Sequence, residues 1–182
     1  MSTQLADALR TADRLFDRSR LEAEIARLAD AIVTDHAGHR PVFLTIMHGG
    51  MLFSAQLALA IGERLDLEFD YLHATRYRGE TTGASLHWLR LPTVPLRARE
   101  VILVDDILDE GHTLSEVRAW CLAQGATQVR VAALAVKRHD RCLAEIKADY
   151  VGVEVPDRYV FGYGMDFHEQ GRNLPAIYAL AE

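Results

Sequence analysis

The chain has 182 residues, of which 49% are hydrophobic and 25% charged, and its formal net charge at pH 7 is −6. This length and composition suit one globular domain with a sizeable core. The negative net charge argues against general nucleic-acid binding, which needs a basic surface, although it does not exclude a local basic pocket.

Two amphipathic helices are predicted before the first strand. Apolar residues at helical spacing occur in "STQLADALRTADRLF" and, more regularly, in "SRLEAEIARLADAIVTDHAG". Ser19 is the expected N-cap of the second helix, and Gly38 follows its last turn.

Apolar strands then alternate with helices. Continuous apolar runs, typical of strands buried on both faces, occur in "PVFLTIM", "EVILVDD" and "QVRVAALAVKR". Helices are predicted over "MLFSAQLALAIGERL" and "HTLSEVRAWCLAQGA". The other predicted elements are a strand in "DLEFDYLHAT", a polar loop running into a short strand or hairpin in "RYRGETTGASLHWLR", one or two short strands in "DYVGVEVPDRYVFGYG", and an irregular C-terminal segment.

This alternation predicts an α/β fold with a parallel sheet. In such sheets, ligands bind beyond the carboxyl ends of the strands. Four polar or glycine-rich segments follow predicted strands, and we expect them at one rim of the sheet: "HGG", "TRYRGETTG", "DDILDEGHT" and "KRHD".

Cysteine usage and hydropathy indicate a cytoplasmic protein. Cys121 and Cys142 match neither a C-x-x-C pair nor a zinc-site spacing, and free thiols fit a reducing compartment. Residues 1–20 carry charges throughout and lack the apolar core of a signal peptide. No apolar run approaches the roughly 20 residues that a membrane span needs, so no membrane partner is expected.

The segment "DDILDEGHT" combines acidic residues with an anion site. Asp105 and Asp106 end a strand, and the loop enters a helix whose first N–H groups are unpaired, with Gly111 permitting close approach. A sugar phosphate with bound Mg²⁺ would satisfy both features. One alternative is a plain turn in which Asp109 and Thr113 only cap the helix. A receiver-type domain is another, but it would carry paired acids after its first strand and lack this glycine turn.

At this point the sequence resembles a known family. "VILVDDILDEGHTL" resembles the ribose-phosphate signature of type I phosphoribosyltransferases. Over roughly residues 40–180, four further segments match the order and spacing of the hypoxanthine-guanine branch: "MHGGMLF", "YLHATRYRGETTG", "VAALAVKR" and "PDRYVFGYGMDFHEQGRNLP". The resemblance implies a central, mostly parallel sheet flanked by helices. It also implies one domain over residues 1–182, with a small hood built from the N-terminal segment and roughly residues 150–182.

The activity that the resemblance implies is purine salvage. The enzyme would transfer the ribose phosphate of 5-phosphoribosyl diphosphate to hypoxanthine or guanine, giving IMP or GMP and diphosphate, with Mg²⁺ as cofactor. The implied partners are these small molecules and further copies of the chain, in a homodimer or homotetramer.

The phosphoribosyl site that the resemblance implies centres on residues 105–113. Asp105 and Asp106 match the acidic pair that holds the ribose hydroxyls, directly or through Mg²⁺, and Asp109 matches the catalytic carboxylate that accepts the purine N7 proton. The 5′-phosphate loop corresponds to Glu110, Gly111, His112 and Thr113. The family more often has Thr or Ser in place of Glu110. Since a carboxylate repels phosphate, we expect that side chain to point away.

The remaining implied residues lie elsewhere in the chain. His48 and Gly49 match the diphosphate loop, where Lys or Arg is common in place of His48, and Arg172 matches an arginine on the diphosphate. Asp166, beside the purine site, matches an acid near a second Mg²⁺. By themselves, the glycines indicate a plain turn, and Asp166 with Arg172 a surface salt bridge.

The purine site and the lid complete the implied set. Lys137 matches the purine-reading lysine, Tyr159 the stacking aromatic, and Val160 the residue whose backbone contacts the purine edge. Arg76 and Tyr77 fall in a segment that matches a mobile lid. Without the resemblance, Lys137 would be expected to extend into solvent, Tyr159 to lie in the core, and the lid to be an ordinary loop.

Two other functions compete with this one, and the histidines are considered as metal ligands. A transferase for xanthine, adenine or orotate is the alternative within the class, and Lys137 favours a 6-oxopurine. A non-catalytic RNA-binding regulator on the same fold would need a basic surface, against which the net charge argues. Six histidines without a shared ligand spacing are interpreted as surface or structural residues: His36, His39, His73, His87, His139 and His168.

Overall fold

A computed structural model describes residues 3–76 and 86–181 of the chain. Its elements are α1 (Thr3–Thr11), β1 (Asp13–Phe16), α2 (Arg18–Asp35), β2 (Val42–Met47), α3 (Met51–Ile61), a 3₁₀ turn (Gly62–Arg64), β3 (Glu68–Arg76), β4 (Leu86–Arg90), β5 (Glu100–Leu108), α4 (His112–Ala123), β6 (Gln128–Lys137), β7 (Tyr150–Val155), β8 (Val160–Phe161) and β9 (Ile177–Ala179). Within these ranges, every helix is too short or too polar to cross a membrane.

Six of the strands form a central sheet in the order β4-β3-β2-β5-β6-β7. All neighbours pair in parallel except β3 and β4, which pair antiparallel at the edge. The α/β class, the parallel sheet and the flanking helices are therefore confirmed. Because five strands run in one direction, their carboxyl ends meet at one rim.

The core lies on both faces of this sheet. Ile102 and Val104 of β5 pack on the side of α2 and α3, whereas Val101 and Leu103 pack on the side of α4. All four are fully buried, and burying such a side chain contributes about 1.5–3 kcal/mol. This two-sided burial explains why the sequence of β5 is a continuous apolar run.

A second, three-stranded antiparallel sheet has the order β1-β9-β8. The predicted first helix was therefore wrong at its end, because α1 stops at Thr11 and Asp13–Phe16 forms β1. The predicted irregular C-terminus was also wrong at Ile177–Ala179, which forms β9. β1 and β9 pair with each other across about 160 residues of sequence, and in β1 this tertiary pairing overrides the local helical pattern.

The second helix begins at Arg18, two residues earlier than an N-cap at Ser19 would place it. Asp17 is the N-cap, and its Oδ1 accepts hydrogen bonds from Arg20 N at 2.9 Å and from Ser19 Oγ at 2.8 Å. The predicted Ser19 cap was therefore wrong: Ser19 lies inside the first turn and supports the carboxylate that caps it.

Candidate active site

The rim of the sheet opens into a cleft of about 1100 Å³. It is bounded by the ends of β2, β5 and β6 and by the segment after β7. Fourteen of the residues implied by the resemblance line it: His48, Gly49, Asp105, Asp106, Asp109, Glu110, Gly111, His112, Thr113, Lys137, Tyr159, Val160, Asp166 and Arg172. Tyr77 and most of the expected lid lie outside the described residues, and Arg76 is described only as backbone at the end of β3.

Asp105 and Asp106 form the floor of the cleft, inside the last part of β5. Both residues are buried, and the Asp106 N–H donates to Asp105 Oδ1 at 3.0 Å. Burial raises the pKa of both carboxyls, and the charge of Asp106 raises the pKa of Asp105 further. Two adjacent carboxyls in this setting favour a ligand that brings hydroxyl donors or positive charge.

This donor set fits Mg²⁺ better than a metal that needs a complete protein cage. The described residues include no cluster of three or more His, Cys, Asp or Glu side chains able to hold a metal. Mg²⁺ commonly binds through one or two carboxylates, with waters and substrate phosphates as the other ligands. Asp105 and Asp106 meet that requirement.

The glycine loop after β2 lies directly against the acidic pair. A Cβ atom on Gly49 would fall 2.1 Å from Asp106 Oδ2, and one on Gly164 would fall 2.2 Å from Gly49 O. Gly164 also has a φ of +108°. The peptide bond between Met47 and His48 is cis. Close packing of the backbone thus explains why residues 49 and 164 are glycines. At this point the loop after β2, the end of β5 and the segment after β8 are in contact.

The predicted phosphate cradle lies at the N-terminus of α4. Gly111 has a φ of +83°, and a Cβ on it would fall 2.3 Å from Ile146 Cγ2, so two independent constraints require glycine. Gly111 is the N-cap, and no described side chain caps the helix. Its first N–H groups therefore remain available to an anion.

Glu110, the departure from the family pattern, lies near two basic side chains. Its carboxylate is 3.6 Å from Arg141 Nε and 3.5 Å from His112 Nε2. The backbone carbonyl of Glu110 accepts a hydrogen bond from Leu143 N at 2.9 Å. These contacts reduce the repulsion that a free carboxylate would exert on a phosphate in the cradle.

Asp109 accepts hydrogen bonds at both carboxylate oxygens. Lys137 Nζ donates to Oδ2 at 2.6 Å, and His139 Nε2 lies 2.6 Å from Oδ1. Burial would raise the pKa of Asp109, but the hydrogen bonds from Lys137 and His139 outweigh it, and the pKa lies below its ordinary value. The structure thus brings together two predicted residues, Asp109 and Lys137, that are 28 positions apart.

His139 and His73 are site residues that sequence reasoning missed. His139 was interpreted as a surface or structural residue, and the surface alternative was wrong, since its side chain is 3% exposed and contacts Asp109. Its position in "KRHD", two residues after Lys137 at the predicted rim, was the available signal. His73 lines the cleft with its ring centroid 4.4 Å from that of His48. Burial lowers the pKa of His73, and electrostatic interactions with His48 and Arg172 lower it further.

The opposite wall of the cleft comes from the segment after β7. The Tyr159 hydroxyl donates to Asp166 O at 3.1 Å, and the Tyr159 ring is 45% exposed. Arg172 Nη2 lies 2.9 Å from Asp166 Oδ1, and its Nη1 donates to Gly164 O at 2.8 Å. Arg172 is therefore held beside the loop that contacts Gly49.

Known proteins share this fold and sequence pattern. The model of the phosphoribosyl transferase domain family matches residues 11–168. A hypoxanthine-guanine phosphoribosyltransferase of Streptococcus pneumoniae is 33% identical over 157 residues, 86% of each chain. One of Aquifex aeolicus is 29% identical over 164 residues, 89% of this chain and 90% of that protein. The solved hypoxanthine phosphoribosyltransferase of Staphylococcus aureus has a TM-score of 0.88 at 25% identity, covering 100% of this chain and 96% of that chain.

Proposed function

The chain belongs to the phosphoribosyltransferase family, and on that premise we propose that it is a purine-salvage enzyme acting on hypoxanthine and guanine. It transfers the 5-phosphoribosyl group of 5-phosphoribosyl diphosphate to a purine ring nitrogen. The products are IMP or GMP and diphosphate. The names of the similar proteins from S. pneumoniae and A. aeolicus support this choice of bases.

The observation that carries the proposal is the contact between Lys137 and Asp109 inside the cleft. It presents a cationic donor next to a carboxylate acceptor, with Nζ and Oδ2 2.6 Å apart. A 6-oxopurine presents the complementary pair, an O6 acceptor next to an N7–H donor. When the base binds, the Lys137–Asp109 contact is exchanged for two hydrogen bonds: Lys137 donates to O6, and Asp109 accepts from N7–H. Both charged groups thereby keep a hydrogen-bond partner.

In the proposed reaction, the bond from the ribose carbon to diphosphate breaks, and a bond from that carbon to the purine nitrogen forms. The diphosphate departs with the electron pair of the broken bond. The purine loses its N7 proton to Asp109 Oδ2. The lowered pKa of Asp109 keeps the carboxylate ionised at neutral pH. When Lys137 leaves Asp109 to bind the base, the largest of the contributions that lower this pKa is removed, so the carboxylate becomes a stronger proton acceptor.

Other groups in the cleft hold the phosphoribosyl substrate in place. We assign its 5′-phosphate to the N–H groups from Gly111 to Thr113 and its ribose hydroxyls to Asp105 and Asp106. The diphosphate is assigned to the backbone of His48 and Gly49 and to Arg172. Tyr159 would stack on the purine, and the Val160 backbone would contact its edge. Positioning and charge stabilisation of this kind supply most of the rate in such transfers.

The proposal also covers magnesium binding, domain organisation, localisation and oligomeric state. Asp105 and Asp106 would hold Mg²⁺, with Asp166 near a second ion, and the metal would neutralise charge on the diphosphate. We further propose that residues 1–182 form one domain whose three-stranded sheet acts as the hood. The enzyme is proposed to be cytoplasmic and to assemble as a homodimer or homotetramer.

A panel of nucleobases tests the function. Purified protein is mixed with 5-phosphoribosyl diphosphate, Mg²⁺ and one base at a time, and nucleotide formation is followed by ultraviolet absorbance. Hypoxanthine and guanine should be converted and adenine left unreacted, while the xanthine sample shows whether a third oxopurine is accepted. Failure of both hypoxanthine and guanine to react would overturn the proposal.

A further inference from the structure

A backbone hydrogen bond to His139 fixes which nitrogen of its ring carries the proton. His139 Nδ1 accepts a hydrogen bond from the backbone N–H of Arg141 at 3.1 Å, so this nitrogen is unprotonated. The proton of the neutral ring is then on Nε2, which lies 2.6 Å from Asp109 Oδ1. His139 is therefore a donor to Asp109 with a defined tautomer.

The surroundings hold this donor in place. The His139 side chain is 3% exposed, whereas that of Asp109 is 41% exposed. The Arg141 side chain is fixed by two hydrogen bonds to Asp157, at 2.7 and 2.8 Å, which restrain the backbone that donates to the ring. A buried imidazole bonded at both nitrogens has little freedom to turn away from Asp109.

We propose that His139 is a positioning residue that holds Asp109 Oδ1 while Oδ2 receives the purine proton. This inference rests on the proposed function, in which Lys137 leaves Asp109 to bind the base. Once Lys137 has left, His139 is the remaining described donor to this carboxylate. Its hydrogen bond keeps the free lone pairs of Oδ2 directed into the cleft.

The same geometry excludes a proton relay through the ring. Nε2 already carries a proton, and Nδ1 faces the Arg141 N–H, which would oppose a second one. The proton from the purine therefore stays on Asp109 Oδ2 until the nucleotide leaves. His139 orients the Asp109 carboxylate and stabilises its ionised form, while the proton on its own Nε2 stays in place.

Two substitutions distinguish the effect of the hydrogen-bond donor from the effect of the space that the ring fills. In His139→Gln, the side-chain amide reaches the position of Nε2 and keeps an N–H for Asp109, whereas His139→Leu fills similar space without a donor. His139→Leu should lower kcat by roughly 10- to 100-fold, the usual effect of losing a supporting hydrogen bond, with little change in the KM for 5-phosphoribosyl diphosphate. His139→Gln should restore most of kcat. His87→Leu, at an exposed histidine of β4, is the matched control and should behave like wild type.

The pH dependence of kcat tests the role of His139 directly, because a residue that only supports the fold would leave it unchanged. The charged and polar groups that act on Asp109 are Lys137 and His139, in direct contact, and Arg141 and Cys142 at longer range. The hydrogen bond from His139 lowers the pKa of Asp109, so its loss raises that pKa. The acidic limb of kcat should move to higher pH in His139→Leu and return in His139→Gln. Melting temperatures of all variants control for folding.

Nitrogen-15 NMR of the histidine rings tests the tautomer without any activity. His139, assigned by comparison with His139→Gln, should show a protonated Nε2 and an unprotonated Nδ1. The opposite tautomer would overturn the proposal whatever the enzyme's substrate is. Wild-type kcat in His139→Leu, or equal loss in the Gln and Leu variants with unchanged melting, would also overturn it. A wild-type protein that converts no base while showing the expected tautomer would instead contradict the proposed function.

Discussion

At the scale of single residues, we predict that base choice depends on Lys137. Its ammonium can donate hydrogen bonds but accepts none, so it suits the exocyclic oxygen of hypoxanthine or guanine. Facing the amino group of adenine, it would oppose a donor with a donor. The side chain is 13% exposed, so an unpaired charge there would be costly.

Replacing Lys137 by Met should therefore impair the reaction with both oxopurines without creating activity on adenine. A hydrogen bond to a charged group contributes about 1.5–3 kcal/mol, which corresponds to a loss of roughly 10- to 100-fold in kcat/KM. The measurement is kcat/KM for hypoxanthine, guanine and adenine. Lys147→Met changes the chain's other lysine, which is exposed, and should leave all three values unaltered. Unchanged oxopurine use in Lys137→Met would show that another group selects the base.

At the scale of structural elements, the loop between β2 and α3 has no room for a side chain at Gly49. Gly49→Ala would place a methyl group 2.1 Å from Asp106 Oδ2, so the loop or the carboxylate must shift. Overpacking of this kind costs about 1–3 kcal/mol, and we expect a roughly 10- to 100-fold rise in the KM for 5-phosphoribosyl diphosphate.

Steady-state kinetics and thermal melting check this expectation together. Gly38→Ala is the control, because Gly38 has a φ of +79° but open space around its Cβ. That variant should lose about 1–2 kcal/mol of stability and keep its kinetics. A normal KM in Gly49→Ala would argue against a diphosphate role for the loop.

The antiparallel edge of the sheet depends on one carboxylate of β3. Asp70 Oδ2 accepts hydrogen bonds from the N–H groups of Thr93 and Val94, beyond β4, at 2.6 and 2.9 Å. Burial favours the neutral acid, but backbone hydrogen bonds from Val94, Tyr71 and Thr93 outweigh it and lower the pKa of Asp70 from 3.8 to about 2. Because the pKa is lowered on folding, the stabilisation is complete above pH 4 and is lost as the pH falls through about 2.

Asp70→Asn should reduce the free energy of unfolding by about 2 kcal/mol at pH 6, the value that corresponds to this pKa change. The difference from wild type should shrink below pH 4. Urea unfolding at several pH values measures both effects. Asp66→Asn removes a carboxylate that is 73% exposed and should change stability little. A constant difference down to pH 2.5 would mean that ionisation of Asp70 is not the cause.

At the scale of the whole molecule, the parallel sheet assembles one cleft from segments far apart in sequence. His48, Asp109 and Lys137 follow or end β2, β5 and β6, and Arg172 reaches the same cleft from beyond β8. The cleft therefore depends on the complete sheet.

Removing divalent metal should consequently abolish turnover without unfolding the protein. The proposed ligands Asp105 and Asp106 lie at the end of β5, whose apolar residues are already buried in the core on both faces of the sheet, so we expect the fold to persist without the ion. Excess chelator should eliminate nucleotide formation, and added Mg²⁺ should restore it. The melting temperature without substrate should stay the same in chelator. Full activity in chelator would contradict the Mg²⁺ requirement.

The sequence by itself determined the central sheet and the position of the acidic loop. Buried strands such as β5 need apolar residues on both faces, and the apolar run of "EVILV" is visible locally. The phosphate cradle was also predictable, because a strand end, Gly111 and the start of α4 are adjacent in the chain. Features of this kind depend on local conformation and burial.

Tertiary structure alone decided the three-stranded sheet and the contacts of Asp109. β1 and β9 are short and become strands because they pair with each other from opposite ends of the chain. His139 lies 30 residues from Asp109, and although its position in "KRHD" places it near the predicted rim, no local pattern identifies Asp109 as its partner. The two residues meet because β5 and β6 are parallel neighbours whose carboxyl ends share one rim. The hydrogen bonds that lower the pKa of Asp109, the proposed catalytic carboxylate, thus form because the two strands pack side by side.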